Sequence, residues 1–136
     1  MLKRFSVSLE EELLAEFDRH IKQRQYSNRS EAVRDLIRKE FVREEWEEDR
    51  EVVGVISLVY DHHQHLLQGK ITRAQHDFHH LIVSTTHIHM DHHNCLEVVI
   101  VRGSARSVQD LAEQLTALRG VKNGNLAMSS TGGHLG

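Results

Sequence analysis

Two apolar, β-branched runs separated by a short polar break occupy residues 81 to 101, and this pattern predicts a β-hairpin. The first run ends in His87-Ile-His89. Side chains alternate between the two faces of a strand, so both imidazoles point to the same side. The break at residues 90 to 94 reverses the chain, and Cys95 then begins the second run opposite the two histidines. Two imidazoles and one thiol are therefore expected on one face, as in a metal site that lacks one ligand.

The histidines of this chain are concentrated around that hairpin, because ten of the twelve lie between residues 62 and 93. His76 falls at the end of a predicted helix, off its apolar stripe, where an imidazole could reach across a subunit boundary. Spacing alone does not select it over the other candidates for a fourth ligand. Those candidates are His62, His63, His65, His79, His80, His92 and His93.

Glu97 shares the strand face of Cys95 and could accept the second N–H of a ligating imidazole, which would fix the tautomer of that ring. The alternative is structural. In that case His87 and His89 form a solvent-facing row, and Cys95 is a small buried hydrophobic residue.

The length of 136 residues fits one domain or two very small ones, and halves of this size usually need oligomerisation. The single cysteine excludes an internal disulfide and suits a reducing compartment. No apolar run approaches the roughly 18 residues that a membrane span requires, and the N-terminus lacks the apolar region of a signal peptide. These features predict a soluble cytoplasmic protein.

Residues 1 to 50 are expected to form a strand followed by two helices. Residues 3 to 9 alternate strictly, with Phe5, Val7 and Leu9 on one face. Apolar residues at helical spacing follow in residues 13 to 21 and again in residues 32 to 41. This order is the ribbon-helix-helix pattern, in which two chains pair their strands and the resulting ribbon enters the DNA major groove.

The outward face of the predicted ribbon carries Arg4, Ser6 and Ser8, which are candidate base readers. Arg29 and Ser30, at the start of the second helix, are candidates for a phosphate contact. The alternative is the edge strand of an ordinary α+β domain with a solvated Arg/Ser face.

Residues 51 to 136 predict a second domain with the order β-α-β-β-α-β, the ferredoxin-like arrangement. The expected elements are a strand at 52 to 60, a helix through Leu67, Ile71, Ala74 and Phe78, the hairpin, a helix at 104 to 119 and a last strand at 121 to 129. Many regulatory domains of this shape pair through their sheets. The fold class is therefore α+β, with domains at 1–50 and 51–136.

Several stretches of the chain resemble known families. Residues 28 to 35, Asn-Arg-Ser-Glu-Ala-Val-Arg-Asp, resemble a segment of ribbon-helix-helix repressors, as does the strand of residues 4 to 9. Gln75-His76, His87-Ile-His89 and His92-x-x-Cys95-Leu-Glu97 resemble the nickel-responsive transcriptional repressors. The likeness covers nearly the whole chain.

The resemblance to nickel-responsive repressors implies a ferredoxin-like, ACT-type regulatory domain that tetramerises. It also implies one Ni(II) per subunit in a square plane, with His87, His89 and Cys95 from one chain and His76 from another. A square plane suits Ni(II) or Cu(II), whereas Zn(II) favours a tetrahedron. The family further places a second cation near the positions of Glu31 and Asp35, although both acids could equally form a solvated helix face.

The chain departs from the family at Gln25, where glycine is frequent, and at Ser6 and Ser8, where threonine is frequent. The leading hypothesis is a non-enzymatic repressor that binds two operator half-sites when nickel is bound, and that controls nickel uptake. One alternative is a ribbon-helix-helix antitoxin or a metal buffer. The other is a small zinc hydrolase with Glu97 as its base.

Overall fold

The computed structural model describes residues 1–136, which form two compact units, Met1–Glu40 and Phe41–Gly136. The first unit contains helix α1, Glu11–Gln23, and most of helix α2, Arg29–Glu47. Asn28 caps α2 by accepting a hydrogen bond from the Glu31 amide at 2.9 Å. The two predicted helices are thus present, and the second begins within the expected range.

The turn between these helices contains Gln25, whose φ of 61° lies in the left-handed region. Glycine adopts that conformation without strain, whereas a glutamine at this position carries a cost of about 1 kcal/mol. The Tyr26 amide closes the turn by donating to the Ile21 carbonyl at 3.1 Å. The departure noted at Gln25 therefore falls where the backbone favours glycine.

Residues 1 to 10 form neither helix nor strand in the single chain, although a strand is expected from residue 3 to 9. The apolar side chains of this segment are exposed, with Phe5 at 71%, Val7 at 64% and Leu9 at 41%. A strand is defined by ladder hydrogen bonds to a neighbour, and the ribbon pattern takes that neighbour from a second chain. One chain by itself cannot supply it.

The second unit is built on a four-stranded antiparallel sheet with the order β2-β3-β1-β4. Along the chain its elements are β1 Glu51–Asp61, α3 His65–Asp77, β2 Ile82–His89, β3 Asn94–Ser104, α4 Ala105–Thr116 and β4 Val121–Ser129, with a short 3₁₀ turn at His79–Leu81. The order β-α-β-β-α-β is the one predicted, and the structure confirms the α+β class.

Burial alternates strictly along β1 and β3, because only one face of the sheet meets the helices. The buried face carries Val52, Ile56, Leu58, Tyr60, Cys95, Val99 and Val101, which join Leu67 and Ile71 of α3 and Val108, Leu111 and Leu115 of α4 in one core. The side chains of the other face are only partly buried; they include Val53, Val55, Val59, Leu96, Val98 and Ile100. An apolar, half-exposed sheet face remains.

The last turns of α2 belong to the second unit. Trp46 is buried, and its indole N–H donates to the Ser129 carbonyl at 2.9 Å. Glu45 is also buried and accepts a hydrogen bond from the Ser130 hydroxyl at 2.8 Å. The compact unit therefore begins at Phe41, whereas the order of predicted elements places the domain boundary after residue 50. No helix of the chain has the length and apolar character needed to cross a membrane.

Candidate metal centre

The β2–β3 hairpin sets the geometry of the candidate site through its register. His89 pairs with Cys95, and His87 pairs with Glu97. Directly paired residues on antiparallel strands point to the same face, so all four side chains lie together. The His87 and His89 rings are 5.3 Å apart between centroids. The structure therefore places three of the four predicted ligands and the predicted supporting carboxylate on one face of the hairpin, where the ligand atoms of His87, His89 and Cys95 do not all lie within 4.8 Å of one another.

The turn of this hairpin is organised by Asp91. Its Oδ1 accepts hydrogen bonds from the amides of His93 at 2.8 Å and Asn94 at 2.7 Å. Because these hydrogen bonds stabilise the charged form, the pKa of Asp91 is lowered to about 2, with the Asn94 amide as the largest cause. The Met90 amide donates to the Asn94 carbonyl at 2.9 Å. These bonds fix the return of the chain that places Cys95 opposite His89.

Cys95 is fully buried, whereas the two histidines face solvent. Its Sγ donates to the Tyr60 carbonyl at 3.4 Å. Burial is the largest cause of a raised pKa for the Cys95 thiol, and the nearby charge of Glu97 raises it further. The sulfur is thus a thiol that would lose its proton when a metal ion binds.

Glu97 is a buried carboxylate on which three side chains converge. Its Oε1 lies 3.3 Å from His87 Nδ1 and 3.5 Å from the Tyr60 hydroxyl. Its Oε2 accepts a hydrogen bond from Gln75 Nε2 at 2.5 Å. With the carboxylate bound to Nδ1, the lone pair of His87 is left on Nε2, the atom available to a metal. The contact is the one that the supporting role of Glu97 requires, and that role stays a prediction.

Tyr60 and Gln75 are contacts of Glu97 to which the sequence analysis assigned no role. Tyr60 ends the buried alternation of β1, and burial together with the Glu97 charge raises the pKa of its phenol. Gln75 lies one residue before His76 on α3. The alternating apolar pattern of β1 was a usable signal for Tyr60, whereas nothing in the spacing pointed to the Gln75–Glu97 bond.

His76 is exposed in the last turn of α3, and its ring stacks on that of His79 with centroids 6.1 Å apart. Within one chain the structure does not bring it to the other three predicted ligands. That placement leaves the ring available to another molecule, and the expectation that it comes from a second subunit stays a prediction.

The donor set fits a borderline or soft transition metal. Two imidazoles and a thiolate suit nickel, copper or zinc and are unsuitable for magnesium or calcium. The contacts of Glu97 with His87, Tyr60 and Gln75 involve both of its oxygens and hold the carboxylate beside the His87 ring.

The predicted DNA-binding residues lie in the first unit. Arg4, Ser6 and Ser8 are exposed in the N-terminal segment. Arg29 is exposed at the start of α2, where its guanidinium donates two hydrogen bonds to Asp18, at 3.0 and 2.8 Å. Ser30 is exposed beside it.

The two acids considered for a second cation are already paired in this structure. Glu31 forms an ion pair with Arg34. Asp35 accepts a hydrogen bond from the Tyr26 hydroxyl and forms an ion pair with Lys39 at 3.0 Å. Their contacts account for both carboxylates without a metal ion, and a cation at these residues stays untested.

Comparison with known proteins matches two domain families. Residues 53–129 match the C-terminal nickel-binding domain of NikR, and residues 3–44 match the CopG family of ribbon-helix-helix proteins. The first match covers more than half of the chain and contains the whole hairpin. The chain belongs to the nickel-responsive regulators.

Relatives over the full length agree with this membership of the nickel-responsive regulators. A protein of Desulfotalea psychrophila is 67% identical over 132 residues, 97% of either chain. A protein of Syntrophus aciditrophicus is 54% identical over 95% of this chain and 94% of its own. A protein of Thermococcus onnurineus is 51% identical over 98% of each chain. All three relatives carry the name "Putative nickel-responsive regulator".

A solved structure of an uncharacterized protein from Thermotoga maritima aligns with a TM-score of 0.52 at 10% identity, over 57% of this chain and 96% of that one. Such a likeness shows the fold alone.

As a nickel-responsive regulator, the chain combines a ribbon-helix-helix DNA-binding domain with a nickel-binding domain, and the family is one of transcriptional regulators, not of enzymes.

Proposed function

We propose that this protein is a repressor that binds operator DNA when Ni(II) occupies a square-planar site made of His87, His89 and Cys95 of one subunit and His76 of a neighbouring subunit. One ion is bound per subunit, the assembly is a homotetramer, and the regulated genes serve nickel uptake. The protein acts in the cytoplasm, where its operator lies. The observation that carries the proposal is the register that pairs His89 with Cys95 and His87 with the buried Glu97.

The tetramer follows from two unpaired surfaces. The N-terminal segment exposes Phe5, Val7 and Leu9, which a ribbon between two chains would bury. The outer face of the sheet is apolar and half-exposed, and it would pair two such dimers. Both surfaces support an assembly larger than one chain, and the shared metal site would be a further contact, on the face of the sheet that carries His87, His89 and Cys95.

Metal occupancy acts on the assembly because its ligands come from two chains. Coordination energy is available only to the arrangement that brings His76 of one subunit to the other three ligands. The bound state is then the one in which two ribbons reach two half-sites together. Arg4, Ser6 and Ser8 contact bases, and Arg29 and Ser30 contact the phosphate backbone.

Operator binding with and without Ni(II) tests the repressor proposal, measured for the wild type, Cys95→Ala and the control His80→Ala. We expect nickel to tighten binding for the wild type and the control but not for Cys95→Ala. DNA binding that ignores nickel in all three proteins would contradict the proposal.

A mixing experiment tests the shared site. Neither Cys95→Ala nor His76→Ala should form the complete site alone, so neither should show the thiolate-to-nickel absorption of the wild type. When the two variants are mixed and allowed to exchange subunits, chains of His76→Ala can receive His76 from chains of Cys95→Ala. We expect part of the absorption to return on mixing. If His76 binds within its own chain, the mixture will stay as colourless as its components.

A further inference from the structure

Two loops of the second unit meet at the end of the sheet, beside the hairpin turn. The pairing of β1 with β3 ends at Asp61 opposite Asn94. The His62 amide extends the pairing by donating to the His93 carbonyl at 3.0 Å, and His62 Nε2 lies 2.7 Å from the His92 carbonyl oxygen. The loop after β1 and the β2–β3 turn are therefore held together by bonds to the backbone.

These loops bring Asp61, His63 and His93 together. One carboxylate oxygen and one nitrogen from each ring all lie within 4.8 Å of one another. Asp61 Oδ1 is 3.1 Å from His63 Nδ1, and the rings of His63 and His93 are 5.6 Å apart between centroids. None of these residues belongs to the site of His87, His89 and Cys95.

The spacing suits the ligands of one ion. Metal–nitrogen and metal–oxygen bonds of about 2.0 to 2.2 Å place adjacent ligand atoms roughly 2.8 to 3.6 Å apart, the short end in an octahedron and the long end in a tetrahedron. The Asp61–His63 pair already has this separation, and a ring nitrogen of the exposed His93 lies within 4.8 Å of both ligand atoms. The His63 amide donates to Asp61 Oδ1 at 2.9 Å, and this hydrogen bond is the largest cause of a lowered pKa for Asp61. The carboxylate is therefore charged at neutral pH.

We propose that Asp61, His63 and His93 form a second metal site, which takes a borderline divalent transition cation such as Ni²⁺ or Zn²⁺ with water in the remaining positions. Two imidazoles favour such ions over Mg²⁺ and Ca²⁺, which prefer sites made of oxygen ligands. The site lacks a thiolate and is open to solvent, so it binds more weakly than the site of Cys95. Its three protein ligands come from one chain, so it fills without any change of assembly.

The test uses the full chain with Cys95→Ala, in which the first site is disabled, and measures Ni²⁺ and Zn²⁺ binding by competition with a chelator. We expect one ion to remain bound per chain. Adding His63→Ala and His93→Ala should weaken that binding by more than about tenfold, because losing two ligands costs more than losing the hydrogen-bond partner of one. The matched control adds His80→Ala and His134→Ala, which remove two exposed histidines elsewhere. Control binding should equal that of Cys95→Ala alone.

Two further measurements keep the proposal decidable. Asp61→Asn keeps an oxygen that can accept the His63 amide hydrogen bond, so the loop is retained while the charge is lost; it too should weaken binding. Millimolar Mg²⁺ should not displace the bound ion. The proposal is overturned if the His63/His93 change leaves affinity unaltered, if the control loses as much, or if Mg²⁺ competes. If the His63/His93 change leaves affinity unaltered, Asp61 serves only to cap the turn by accepting the His63 amide hydrogen bond.

Discussion

At the scale of single residues, the metal centre depends on a carboxylate that does not itself need to touch the metal. Glu97 is buried and receives bonds from His87, Tyr60 and Gln75. The contact with His87 fixes the tautomer and the orientation of a predicted ligand. The hydrogen bond from Gln75 connects the sheet to the end of the helix that carries His76. The order of ligands in the sequence indicates a site, whereas these contacts determine how well it is preorganised.

Glu97→Gln should lower nickel affinity by about 10- to 100-fold while keeping the absorption of the Cys95–nickel bond. An amide has one oxygen acceptor where the carboxylate has two, and its NH₂ group would face the NH₂ group of Gln75. Chelator competition measures the affinity, and the exposed Glu113→Gln is the control. Equal affinities for the two variants would show that Glu97 does not support the site.

The Asp18–Arg29 ion pair predicts a pH dependence in the first unit. The hydrogen bonds from Arg29 lower the pKa of Asp18 below its usual 3.8. A depressed folded pKa means that the pair stabilises the fold above the unfolded value, and that this contribution is lost as the pH falls through the folded value. Titration of the Asp18 carboxyl by NMR should give a pKa below 3.8, and Arg29→Gln should return it to that value. An unshifted carboxyl in the wild type would contradict the pairing.

At the scale of elements, the sheet is held by close contact between the centre of β1 and α4. A Cβ added at Gly54 would lie 2.8 Å from Val108 Cγ1 and 3.0 Å from Leu126 Cδ1. Val108 is β-branched and buried, so its side chain has little freedom to move. Gly69 in α3 is the opposite case, because a Cβ there meets nothing within 4 Å.

These two glycines form a matched pair of alanine substitutions. Gly54→Ala should destabilise the protein by about 1 to 3 kcal/mol through overpacking. Gly69→Ala should stabilise it by about 0.5 to 1 kcal/mol, because alanine loses less entropy in a helix. Denaturant unfolding of both variants measures the difference, and shifts of the same sign would contradict the packing described for Gly54.

At the scale of the whole molecule, the chain presents apolar surface that it cannot bury alone. Phe5, Val7 and Leu9 are exposed at the N-terminus, and the outer sheet face is half-exposed. Changes to these two surfaces are therefore expected to affect different functions. A change in the N-terminal ribbon should abolish DNA binding and leave the metal ligands intact.

Val7→Asp should break the ribbon, because it places a charge on the face that two strands would bury. We expect operator binding to be lost, a smaller assembly in analytical ultracentrifugation, and an unchanged local hairpin. The control is Ser6→Ala on the opposite face, which should keep the assembly and weaken DNA binding alone. If Val7→Asp sediments and binds DNA like the wild type, the apolar face is not the dimer contact.

The sequence by itself determined the element order of the second unit, the α+β class and the hairpin pairing that puts His87, His89 and Cys95 on one face. Period-two and helical patterns report which face of an element is buried, and a short hairpin fixes register within a few residues. The sequence pattern alone therefore places Cys95 opposite His89.

Only the tertiary structure decided contacts between residues distant in the chain. The Gln75–Glu97 bond and the meeting of Asp61 with His93 depend on how α3 and β1 dock against the hairpin, which no local pattern encodes. The same holds for the docking of Trp46 on Ser129, which places the end of α2 in the second unit. The strand predicted at residues 3 to 9 depends on more than the tertiary structure of one chain, because its hydrogen bonds need a partner strand that a single chain does not contain.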